Sequence, residues 1–139
     1  MATAYTNRRV QIAADDPTVA ITTAPVNPPA VGTVLIRAGD IIDVGLDWTL
    51  WCRGNDASLK AAGSTWAAHG SSPDAPTVSS SGIDSDRKHT VAVLDASAAV
   101  VGDTYWLVNT VVFEDASTDG AYDFPDRTLK RTLYVIVTA

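Results

Sequence analysis

Between residues 42 and 52 apolar and polar positions alternate, with Ile42, Val44, Leu46, Trp48, Leu50 and Cys52 set against Asp43, Gly45, Asp47, Thr49 and Trp51. A period of two marks a strand that buries one face. Read this way, Trp48 and Cys52 share the buried face and Trp51 points to the other side. Further runs at 63–69, 75–83, 87–95, 103–113 and 127–138 are rich in Val, Thr, Tyr and Trp, which suit a pleated surface. Clusters of Gly, Asp, Asn, Ser and Pro separate them and mark turns. Seven or so strands at this spacing predict an all-β fold, an antiparallel β-sandwich of Ig-like or jelly-roll type. Its expected core is built on Trp48, Cys52, Trp66, Tyr105, Leu107 and Val135. The stretch "NDASLKAAG" at 55–63 is the one place where the pattern allows a turn or two of helix, with Asp56 as N-cap and Gly63 past its end.

The first 32 residues follow a different rule. Pro17, Pro25, Pro28 and Pro29 interrupt every apolar run, so "TTAPVNPPAVG" is neither helix nor central strand. The expected organisation is therefore an extended Pro-rich N-terminal arm over 1–32 and a β-sandwich domain over 33–139. Fully extended, such an arm would reach about 100 Å at roughly 3.3 Å per residue. Its partner-binding candidates are the basic pair Arg8 and Arg9 and the short β-like run at 18–23 with Val19 and Ile21, which can pair with a neighbour by strand addition.

Charge and composition narrow the function classes. Fifteen Asp and one Glu against ten Lys and Arg give a net charge of −6. That balance disfavours a nucleic-acid partner, because phosphate binding needs a basic face. Cys52 is the only cysteine, which excludes an intramolecular disulfide framework and a cysteine-rich zinc site. With no His near it in sequence, Cys52 is expected to act as a small buried hydrophobe. The N-terminus lacks the apolar core of a secretory signal, and no apolar run approaches the roughly 18–20 residues that span a bilayer. Synthesis in a cytoplasm and no membrane partner are the expectations.

Reacting groups are sparse in the sequence. His69 falls at a strand end and His89 within "RKHTV", and neither is surrounded by a G-x-S-x-G, an H-E-x-x-H, a phosphate loop or a spaced metal-ligand cluster. No catalytic residue, metal or cofactor is assigned. The mixed charges of "DSDRK" at 84–88 read as a solvated face. One stretch, "DASTDGAYDFPD" at 115–126, spaces Asp115, Ser117, Asp119, Gly120, Asp123 and Asp126 like the oxygen ligands of a calcium loop. Its last position is Asp instead of the longer Glu, and its flanks are strands instead of helices, so a metal-free Asp-rich loop is the simpler expectation.

The order of segments carries a resemblance: "AGDIIDVGLDWTLW", "GSTW", "TVSSSGID", "HTVAVLDASAAVVGDTYWLVNTV" and "RTLKRTLYVIV". Over roughly 37–137 the chain resembles small Ig-like all-β virion proteins of tailed bacteriophages, of the capsid decoration, cement or head-completion type. Its specific parts are Asp47-Trp48, Ser64-Thr65-Trp66, the run "GDTYWLVN" and the closing Arg127-Thr128-Leu129 strand. The resemblance implies a non-enzymatic structural protein that binds the outer surface of the major capsid protein shell as a dimer or trimer, located on the virion and without cofactor. A head–tail connector or neck completion protein is the alternative within the same class. From another class comes a carbohydrate-binding or adhesion module using an exposed Trp51, Trp66 or Trp106. The long arm and the extended 114–126 loop depart from the pattern, and both suit a protein that grips neighbours.

Overall fold

The computed structural model describes residues 9–12, 30–70, 76–102, 104–116 and 125–139. Eight strands and one short helix follow in the order β1 (Arg9–Gln11), β2 (Ala30–Arg37), β3 (Ile41–Asp47), α1 (Thr49–Asn55), β4 (Ala57–Gly70), β5 (Thr77–Ile83), β6 (His89–Asp95), β7 (Thr104–Asp115) and β8 (Arg127–Thr138). They form two four-stranded sheets, β1-β3-β6-β5 and β2-β8-β7-β4. The chain is an all-β sandwich. With β2 set aside as an added edge strand, the remaining seven follow the order of the immunoglobulin sandwich, in which the first, second, fifth and fourth strands make one sheet and the third, sixth and seventh the other. Tyr105 strengthens the match: it stands at the start of β7, and its hydroxyl accepts the Val100 N–H at 3.4 Å, the corner that Ig sandwiches place at this point.

Two pairings are parallel where antiparallel ones were expected, β1 on β3 and β2 on β8. Both bring in residues of the N-terminal region. Arg9–Gln11 hydrogen-bonds along β3, and Ile12 is 1% exposed within the core. β2 begins at Ala30, inside the expected arm. Val10 and Ile12 bring this segment to a sheet edge in its own domain, which satisfies its backbone groups at less entropic cost than a neighbour would. Arg8, Val19 and Ile21 lie outside the described residues.

The strand expected over 42–52 ends at Asp47, and Thr49–Asn55 is helical. Helical spacing brings Trp48, Trp51 and Cys52 to the same side, so Trp51 is buried at 5% exposure and does not face outward. The gain is aromatic packing. Trp51 and Trp48 lie 4.4 Å and 5.1 Å from Phe113 of β7, centroid to centroid. Asp47 helps start the turn, its Oδ1 accepting the Thr49 N–H at 2.9 Å. The helix stops at Asp56, a left-handed C-cap whose N–H bonds the Cys52 carbonyl. The helix expected at 55–63 is instead the first half of β4, interrupted by a bulge between Leu59 and Ser64. There Gly63 passes so close to the chain that a Cβ would lie 2.9 Å from the Val112 carbonyl oxygen.

Between the sheets lie Val44, Leu46 and Leu94 from one side and Leu107, Val111, Leu133 and Val135 from the other, all at most 1% exposed. A polar bridge crosses this core. The Trp48 indole N–H donates to Thr90 Oγ1 (3.2 Å), Thr90 donates to Asn109 Oδ1 (2.8 Å), and the Asn109 amide donates to Ser64 Oγ and the Thr65 carbonyl (both 3.0 Å). Each polar side chain of this bridge is thereby matched, where an unmatched one would cost about 1–3 kcal/mol.

Candidate functional site

The register sorts the surface chemistry to opposite ends of the sandwich. At one end β2 and β6 finish and β3 and β7 begin, stitched by Gly39 N–H to the Ala96 carbonyl (2.9 Å) and Gly102 N–H to the Val137 carbonyl (3.0 Å). The large apolar residues that remain exposed among the described residues all lie toward this end: Leu35 (67%), Ile41 (58%), Val101 (50%), Val100 (41%) and Ile136 (37%). Leu35 and Ile136 are register partners on the outward face of the second sheet. The next rung on that face runs Thr33, Tyr134, Trp106, His69 across all four strands. Trp106 and His69 stack there with centroids 6.3 Å apart.

The opposite end is closed by α1 and by charge. Arg87 pairs with Glu114, Arg127 with Asp115 (3.3 Å) and Lys60 with Asp126 (2.6 Å). Asp115 and Asp126 of the suggested calcium loop are therefore engaged by cations; Ser117, Asp119, Gly120 and Asp123 lie outside the described residues. Arg127 and Arg131 also lie over the Trp51 and Trp48 rings at 5.6 and 5.9 Å.

His89, the first residue of β6, is the centre of a second cluster. Its Nε2 is 3.3 Å from Asp47 Oδ1, and its Nδ1 is 3.2 Å from Asp86 Oδ2 and 3.7 Å from Asp84 Oδ2. Arg9 approaches the far oxygen of Asp47 at 3.8 Å. Burial acts to raise the Asp47 carboxyl, but the hydrogen bonds from the Thr49 side chain and backbone outweigh it, helped by the charges of His89 and Arg9. The net effect holds the group below its ordinary range. Among the described residues, Asp84, Asp86 and His89 form a group of metal-capable side chains whose ligand atoms lie within 4.8 Å of one another. The sequence carried the signal in D-x-D-x-x-H at 84–89, which reading the segment as a solvated charged face passed over.

Trp48, Cys52, Tyr105, Leu107 and Val135 are each at most 2% exposed. Trp66 faces inward but is only partly buried, and its indole N–H has no hydrogen-bond partner among the described residues. Burial pushes the Cys52 thiol up to about 11, which keeps it protonated. A cleft of about 280 Å³ opens where β1 and β2 meet, lined by Val10, Val34 and Ile42 with Arg9 as its one charged group.

No family description matches the chain, and no curated protein matches it. Among solved structures it is similar to a cysteine protease inhibitor from Entamoeba histolytica, at 17% identity over 76% of this chain and 84% of that one, with a TM-score of 0.37.

Proposed function

We propose that the chain is a non-enzymatic structural protein of a tailed-phage virion, a decoration or cement protein that docks on the outer surface of the major capsid protein shell through its apolar end. One observation carries this reading: the exposed large apolar residues gather at a single end, around Leu35, Ile41, Val101 and Ile136. Large apolar side chains left in water and grouped toward one end suit an interaction site, whereas single exposed apolar residues scattered over a surface need no explanation. The segment resemblance over 37–137 supplies the partner. A wedge repeated at every equivalent junction of a shell stabilises the assembled state by mass action. The chain is expected to act as a dimer or trimer there.

Mixing the purified chain with shells that lack it tests the reading. Saturable binding at hundreds of copies, with a raised shell dissociation temperature, is the expected result. A copy number of about a dozen would move the protein to the neck, and no binding would end the proposal. The stacked Trp106 and His69, with Tyr134 beside them, favour a second reading as a carbohydrate-binding face. For that reading, tryptophan emission should shift on adding oligosaccharides.

A further inference from the structure

Three of the sheet edges carry a device that discourages pairing, and one does not. β1 is three residues long, and β4 and β5 are each broken by a bulge, between Leu59 and Ser64 and between Val78 and Ser80. Short, bulged or charged edges are how native sheets avoid adding foreign strands. β2 forms the outer edge of the second sheet and is irregular only between Ala30 and Gly32. It reads AVGTVLIR, with no proline and no charge before Arg37. Its Leu35 is the most exposed large apolar side chain among the described residues, at 67%. We propose that this edge is an interface between two copies of the chain, joined by antiparallel pairing of β2 with β2 about a two-fold axis at Leu35.

The backbone sets the register. Ala38 N–H bonds the Thr138 carbonyl at the end of β8, at 2.9 Å. Backbone groups alternate sides along a strand, so the N–H and C=O of Thr33, Leu35 and Arg37 point away from β8, toward the open edge. Among the described residues no strand pairs with them. A two-fold interface uses the same patch on both subunits, and Leu35 is the midpoint of these residues. Turning a second copy about that point sets Leu35 opposite Leu35 and Thr33 opposite Arg37, as hydrogen-bonded pairs in which each outward N–H meets an outward carbonyl. No like charges face each other, because Arg37 meets Thr33 and the rest of β2 is neutral. The side chains agree with the backbone. Leu35 and Ile136 are register partners on the outward face, so pairing joins them to the same two residues of the second copy in one apolar strip. The side chain left most in water is then the one on the axis. This match of hydrogen bonds, charge and apolar side chains about one residue favours a second copy over a strand of another protein. The inference stands on the edge alone and not on the shell reading, and pairing leaves Ile41, Val100 and Val101 in water for a further partner.

The test is sedimentation of the full chain in the absence of shells, with amide exchange followed at low and high concentration. One strand pair makes a small, weak interface, so a dissociation constant on the order of 0.1 mM is expected and the dilute chain is monomeric. Between about 5 µM and about 1 mM the mass should double, and the amides of Thr33, Leu35 and Arg37 should slow in step. Leu35→Lys places like charges opposite each other at the axis and should weaken association at least about tenfold, with an unchanged melting curve in dilute solution. Leu35→Pro removes an N–H that points to the open edge and should act the same way. Ser80→Lys puts the same charge on the exposed edge of β5 and should leave association as it was. A chain still monomeric at about 1 mM would overturn the proposal. So would full association in a folded Leu35→Lys variant. Amides of β2 already slow in the dilute monomer would assign the edge to another segment of the same chain, and slowing only on shells would assign it to a shell strand; either result overturns pairing between copies.

Discussion

The two ends of the sandwich are built from the same eight strands and use opposite chemistry. At one, α1 drives Trp48, Trp51 and Cys52 between the sheets, and ion pairs ring the outside. At the other, Leu35, Ile41 and Val101 stay in water. Burial of a large side chain contributes roughly 1.5–3 kcal/mol to folding, and leaving one exposed contributes nothing. The difference therefore separates a region that holds the fold from a region that the fold could do without. Apolar residues kept where they do not stabilise the chain are best explained by what else they touch.

The sharpest way to break the comparison is at the closed end. Trp48→Ala removes a fully buried indole that packs on Phe113 and donates to Thr90. It should cost roughly 3–5 kcal/mol, read by urea unfolding. Ile12→Ala comes next at about 2–5 kcal/mol, because this residue sits in the core. A cost near zero would contradict the placement of Ile12 in the core. Asn109→Ala leaves Thr90 and Ser64 without their shared partner and should cost about 1–3 kcal/mol. Cys52 sharpens the picture without any substitution. A buried thiol held near 11 should react with a thiol reagent at pH 8 only as fast as the domain opens, and rapid native-state labelling would contradict its placement.

Much of this fold was legible in the residues, and the misreadings have physical causes. β6 and β7 announce themselves because buried and less buried positions alternate along most of their length. The segment 48–52 does not, since Trp48 and Cys52 lie on one face under a period of two and of 3.6 alike. Only the partner across the core, Phe113, selects the helix by rewarding burial of Trp51. β1 is three residues long, too short for any periodicity, and exists because β3 offers an edge. Asp56 and Gly63 suggested helix ends, yet the same residue types serve a left-handed cap and a bulge. For the candidate sites, Asp84, Asp86 and His89 are local and visible, whereas Asp47 reaches them only through the β3–β6 register. The apolar end was hidden because its members come from four separate places in the chain.

The smallest effect on stability should accompany the largest effect on docking. Val101→Glu and Leu35→Glu alter exposed side chains and should move the unfolding free energy by no more than about 0.5 kcal/mol. The most direct measurement is the affinity of this double variant for capsid shells, taken beside the wild-type chain and its melting curve. The account predicts an unchanged melting temperature and binding weakened at least about tenfold, equivalent to about 1.4 kcal/mol. Full-affinity binding by a normally folded double variant would contradict it.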